Sequence, residues 1–256
     1  MRKFLALTTV LVALAACTYP QSQRETLFQA STLNAVMLGV YDGEVTCQEL
    51  KMRGDIGIGT FDALDGEMVM LDGDIYQVRG DGKVILADDD WTSPLAVVTR
   101  FDVDHSISLR NVESTAEFYQ QLEASMSNRN IFYVVRIDGR FSYVKTRSVP
   151  RQQKPYPPLA EVAKTQPVFE FRDVEGTLVG VWYPQYAQGV NMAGFHMHFL
   201  TKDKTGGGHV LECQPLAAVA RFDHTNNMYL VLPQHDAFAR AGLSSVDQDD
   251  YHGVEK

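Results

Sequence analysis

The segment Gly194-Phe195-His196-Met197-His198-Phe199, followed by Gly206-Gly207-Gly208-His209, gathers three of the chain's seven histidines within 14 residues. On a strand, residues two apart share a face, so His196 and His198 present two imidazoles side by side. Phe195, Met197 and Phe199 then turn to the opposite, apolar side. The run from Lys202 to Gly208 is turn chemistry, which returns His209 on the neighbouring antiparallel strand. Three neutral ring nitrogens facing one point, with a fourth position open, form the pattern of a catalytic zinc site rather than a closed structural one. An all-imidazole donor set favours zinc over copper or iron. A His-x-His pair alone would suit two surface or hydrogen-bonded side chains equally well; His209 makes the group a candidate metal centre. His105, His224, His235 and His252 lie apart from it and read as surface or structural residues.

The elements that must position this cluster follow from local patterning. Thr32 to Leu38 predicts a short helix stopped at Gly39, and Gly54 to Val78 has strand character with turns at Gly54-Asp55 and Gly73-Asp74. Ser114-Thr115-Ala116-Glu117 is a capping box, opening a helix with Phe118, Leu122 and Met126 on one face. Ile131 to Ile137 and Phe141 to Val149 predict a hairpin around Asp138-Gly139. After the proline-rich stretch Pro150 to Pro158 and a brief helix, strands resume from Val168 to the region of Pro233. The chain also repeats itself. Pro94 to Asp102 matches Pro215 to Asp223 at seven of nine positions, and Phe61 to Val69 is echoed more loosely by Phe171 to Val179, in the same order. The expected fold is therefore α/β (α+β, rich in strands), with two similar sheet-containing halves from an internal duplication. The first-copy counterpart of the histidine strand, Asp74 to Val78, has no histidine, so only the second half would bind metal.

Composition narrows the partners. The chain has 256 residues, 45% hydrophobic and 21% charged, with a formal charge of -9, an ordinary globular balance large enough for a core without staples. With no Lys/Arg cluster to neutralise phosphates, nucleic acid is excluded as a partner. Arg2 and Lys3 precede an apolar run of 13 residues, Phe4 to Ala16, too short to span a bilayer but right for a signal-peptide core. The run ends in Leu14-Ala15-Ala16-Cys17, which resembles the bacterial lipobox, with Cys17 as the lipidated first mature residue; plain secretory cleavage after Ala16 is the alternative. The chain is thus expected to be exported, as an envelope lipoprotein or a periplasmic or secreted protein, touching membrane only through that anchor. In such a compartment Cys47 and Cys213 could pair, or each could be a small buried hydrophobe. The expected division is 1–16 signal peptide, 17–25 tether, 26–157 N-terminal half, 158–240 metal-binding half and 241–256 polar tail.

The histidine segments, together with Leu27-Phe28-Gln29-Ala30-Ser31, Gly57-Ile58-Gly59-Thr60-Phe61, Leu64-Asp65-Gly66-Glu67 and Leu71-Asp72-Gly73, resemble the bacterial acetolactate decarboxylases. The likeness runs from about Thr26 to the C-terminus. It implies a two-domain α/β homodimer that converts (2S)-2-acetolactate into (R)-acetoin and CO2. It also implies a zinc held by His196, His198 and His209, with Glu67, Glu255 and Arg147 as the remaining site residues and Thr60 beside them. An export signal departs from the family's usual cytoplasmic location.

The chemistry of those residues suits that reaction. Losing CO2 from a 3-oxo acid leaves an enediolate, whose charge a Lewis acid can hold. An anionic substrate approaching an acidic protein needs a local cation, and the planar fork of Arg147 suits a carboxylate. A carboxyl group, Glu67 or Glu255, would deliver a proton to one face of the enediolate. The resemblance implies that the tail folds back to bring Glu255 in, whereas composition alone predicts that Ala241 to Lys256 frays. Read without the resemblance, the same histidines would also suit a cupin-type oxygenase, a metal-dependent hydrolase, or an envelope lipoprotein that binds metal or a small acid.

Overall fold

The computed structural model describes residues 25–247 and Tyr251. In chain order, the first part forms β1 (Thr26–Ala30), α1 (Leu33–Met37), β2 (Val45–Thr46), α2 (Cys47–Arg53), β3 (Ile56–Thr60), β4 (Glu67–Leu71), β5 (Asp74–Val78), β6 (Val84–Leu86), β7 (Thr92–Ser93) and β8 (Ala96–Thr99). There follow β9 (His105–Arg110), α3 (Thr115–Ser125), β10 (Phe132–Arg147), α4 (Leu159–Ala163), β11 (Val168–Tyr183), β12 (Gly194–Thr201), β13 (Gly207–Thr225), β14 (Asn227–Val231) and α5 (Asp236–Arg240). A seven-stranded sheet runs β14-β1-β8-β3-β4-β5-β6, and a five-stranded sheet runs β10-β11-β12-β13-β9. Because β13 also pairs with β10 along its length, β10 to β13 close on one another. The sheets exchange strands: β9 and β10 join the second sheet, and β14 returns to lie parallel to β1.

Alternation along the strands builds the layers. In β4, Val69 and Leu71 face the second sheet and pack with Ile56, Ile58, Val179, Val181 and Leu200. Met68 and Met70 turn the other way, onto Phe28, Val98 and the α2 residues Cys47 and Leu50. On the far side of the second sheet, Phe118 and Leu122 of α3 meet Ile137, Met197, Phe199 and Phe222. The order is helix, sheet, sheet, helix, with an apolar seam between the two sheets. Cys47 and Cys213 are both buried and free, in separate clusters on either side of that seam, so they do not pair.

Several local expectations hold. Thr32 caps α1 by accepting from the Ala35 N–H at 3.3 Å, and Ser114 caps α3 by accepting from the Glu117 N–H at 3.1 Å. The Glu117 carboxylate reaches back to the N–H of Glu113 rather than of the cap itself. One expectation fails: there is no hairpin at Asp138-Gly139, because Phe132–Arg147 is a single strand of 16 residues. The two residues that read as a turn serve sheet packing instead. Asp138 accepts from Arg136 at 2.8 Å, Arg221 at 2.7 Å and Thr177 at 2.8 Å. Gly139 leaves room for β13, since a Cβ there would sit 2.4 Å from the Ala217 carbonyl oxygen.

Candidate metal centre and active site

Strand register brings the predicted residues together. His198 of β12 stands opposite His209 of β13, and His209 stands opposite Arg147 of β10, so three side chains form one row across the second sheet. His196 lies two residues along β12 on the same face. From the facing sheet, Glu67 opens β4 opposite Thr60 of β3. All six residues are buried, from His198 at 1% exposure to His196 at 8%. The site is therefore the polar end of an otherwise apolar seam.

The contacts there are specific. One nitrogen from each histidine lies within 4.8 Å of the others, and His196 Nε2 is 3.0 Å from His209 Nδ1. His198 Nδ1 is 2.7 Å from the Met68 carbonyl oxygen. A carbonyl can only accept, so Nδ1 carries the proton and Nε2 keeps its lone pair. That Nε2 is buried, has no hydrogen-bond partner among the described residues, and lies 3.5 Å from Glu67 Oε2. Burial, reinforced by the neighbouring His196 and His209, holds His198 well below the usual histidine range, keeping it neutral as a ligand must be. Arg147 Nη1 donates to Glu67 Oε1 at 3.3 Å, while Arg147 Nε is buried without a hydrogen-bond partner among the described residues.

His196 and His209 form part of the wall of a cleft of about 890 Å³, with Tyr119, Phe195, Gln188 and Tyr251. His198, Glu67 and Arg147 are not on that wall. Thr60 acts at one remove: its hydroxyl donates to the Gly66 carbonyl at 2.7 Å, bracing the turn that delivers Glu67. Cys17 and Glu255 fall outside the described residues.

The profile of the alpha-acetolactate decarboxylase family matches residues 27–245. This chain belongs to that family. It is 44% identical to the alpha-acetolactate decarboxylase of Methanosarcina mazei over 232 residues, covering 91% of this chain and 81% of the relative. It is 42% identical to that of Brevibacillus brevis, with the same coverage. The crystal structure of the alpha-acetolactate decarboxylase from Bacillus subtilis strain 168 superposes with a TM-score of 0.88 at 37% identity, covering 90% of this chain and 99% of that one.

Within this member of the family the donor set fits a metal ion. Three nitrogens bound to one zinc at about 2.0–2.1 Å would stand roughly 3.3 Å apart, within the 4.8 Å that bounds the histidine cluster. The orphaned Nε2 of His198 would gain the partner it lacks. Some contributors carried no signal in the sequence. The Met68 carbonyl that fixes the His198 tautomer is a backbone atom, and nothing about a methionine marks it. Gln188, which lines the cleft and whose Oε1 accepts from the Ala193 N–H at 3.0 Å, is an ordinary polar residue until the cleft is seen.

Proposed function

We propose that this chain decarboxylates (2S)-2-acetolactate to (R)-acetoin and CO2 at the His196/His198/His209 centre. The observation that carries the reading is the juxtaposition of three buried imidazoles with the Glu67–Arg147 pair at one end of the seam. His196, His198 and His209 would hold a zinc ion, which when bound supplies Lewis acidity toward the adjacent ketone and hydroxyl oxygens of the substrate. Arg147 spends one donor on Glu67 and keeps Nε for the substrate carboxylate. As the bond to the carboxylate carbon breaks, its electron pair passes into the enediolate and CO2 leaves. Glu67, having taken the proton of the substrate hydroxyl, gives it to carbon on one face, with Glu255 as its partner carboxyl, and water restores the hydroxyl proton of the product. The dry walls of the seam strengthen each of these polar contacts. His198→Ala removes the ligand whose tautomer Met68 fixes. It should abolish metal retention and turnover together, and a variant that keeps its full zinc content would refute the assignment.

The repeated segments fall on β8 and β13, and on β4 and β11; the neighbour orders β8-β3-β4-β5 and β13-β10-β11-β12 run alike, which supports an internal duplication and one metal per chain. The Cys17 lipobox makes the enzyme an exported, lipid-anchored protein; equal detergent partitioning of wild type and Cys17→Ala would count against that. The family resemblance makes it a homodimer, which sedimentation equilibrium tests.

A further inference from the structure

Leu243 and Tyr251 are both held by a residue more than 200 positions earlier in the sequence. Asn34 lies on α1, and its amide makes two bonds to the tail. Nδ2 donates to the Leu243 carbonyl at 2.8 Å, and Oδ1 accepts from the Tyr251 hydroxyl. The partners assign the amide unambiguously, because a carbonyl can only accept. Tyr251 is buried at 6% exposure, packs with Leu33, Val36, Leu159 and Val162, and lines the cleft together with His196 and His209. The Asn34 backbone is itself fixed, its N–H donating to the Gly189 carbonyl at 3.1 Å. Gly189 has φ +94 and its missing Cβ would lie 3.0 Å from Asn34 Nδ2, so a glycine there gives the amide its room.

We propose that Asn34 is a positioning residue that clips Leu243 and Tyr251 in place and so holds the Tyr251 side chain in the cleft wall beside His196 and His209. Glu255 is four residues beyond Tyr251 in sequence. A chain fixed at Tyr251 leaves its next four residues a reach of at most about 14 Å. This rests on the proposed role of the tail in decarboxylation, and the experiment separates the two. Asn34→Ala should speed chymotryptic cleavage after Tyr251 by about tenfold or more, the scale of losing two hydrogen bonds. It should lower kcat by a similar factor while metal content is kept. Tyr251→Phe, which removes only the hydroxyl, should shift both readouts the same way and serves if the alanine variant folds poorly. In a chain lacking residues 250–256, Asn34→Ala should cost less than about twofold further, because the tail it acts through is gone. Unchanged cleavage at Tyr251, or an equal loss of kcat in both backgrounds, would overturn the clip. If the shortened chain turns over at the wild-type rate while Asn34→Ala still frees Tyr251, the clip stands and the catalytic assignment of Glu255 fails.

Discussion

Glu67 and Arg147 form an ion pair with side chains only 8% and 5% exposed, so neither can lose its partner cheaply. Removing one buried charge strands the other, at a cost of about 3–5 kcal/mol. Arg147→Ala should therefore unfold at markedly lower urea, whereas Glu67→Gln keeps a hydrogen-bonding group beside Arg147. The glutamine variant should give up part of its stability, since Arg147 loses its counter-charge, yet stay folded and metal-loaded in buffer and lose about 100-fold or more in kcat, the scale of one acid–base group; near-native turnover would remove Glu67 from the mechanism. A second buried carboxyl lies outside the site. Burial pushes Asp223 up to about 8 against the Asp102 N–H it accepts, with Asp104, Glu25 and Asp102 adding repulsion. Between pH about 4 and 8 the folded chain holds a proton that the unfolded chain releases. Stability is thus full at low pH and falls as pH rises, by up to about 1.4 kcal/mol per unit. Asp223→Asn should flatten that decline, gaining on wild type in urea unfolding between pH 5 and 8; parallel curves would show that Asp223 does not titrate there. At this scale the histidines were legible because their spacing is local. Glu67 and Arg147, 80 residues apart in sequence, could be named only through the family resemblance.

The row Arg147–His209–His198 depends on how closely β10, β12 and β13 approach, and glycine permits that approach. Gly208, beside His209, has φ +128, and a Cβ there would sit 2.3 Å from the Arg147 carbonyl oxygen. Gly208→Ala should push β13 off β10 at the metal row and weaken zinc binding at least about tenfold. Gly73→Ala is the control: φ is +86 but nothing lies within 4 Å of its added Cβ. It should cost only about 1–2 kcal/mol of backbone strain and leave the metal in place. Equal zinc affinity in both variants would contradict the packing argument. Elements fixed by their own residues were readable in advance: the short helix ahead of Gly39, the Ser114 cap, and the β12–β13 hairpin that pairs His198 with His209. Asp138-Gly139 misled because its turn chemistry is spent on cross-strand partners, Arg221, Thr177 and the Ala217 backbone, that no local window contains.

Over the whole molecule, two sheets close an apolar seam and leave their polar groups at one end. A strand-rich mixture of helix and sheet could be read along the chain. The exchange of β9 and β14 between sheets could not, since pairings such as Phe28 with Tyr229 join residues about 200 apart. The same long-range packing puts Cys47 and Cys213 in different layers. It also lets Asn34 of α1 hold Leu243 and Tyr251, in a stretch that composition alone assigns to solvent. All of these placements serve one claim, that the seam's polar end is a stereospecific decarboxylation site. Purified protein loaded with zinc and given racemic 2-acetolactate tests it by chiral analysis of acetoin with parallel CO2 and oxygen measurements. The expected result is (R)-acetoin in excess, one CO2 released per acetoin formed, and no oxygen uptake. Racemic acetoin at the uncatalysed rate, or turnover that consumes oxygen, would contradict it.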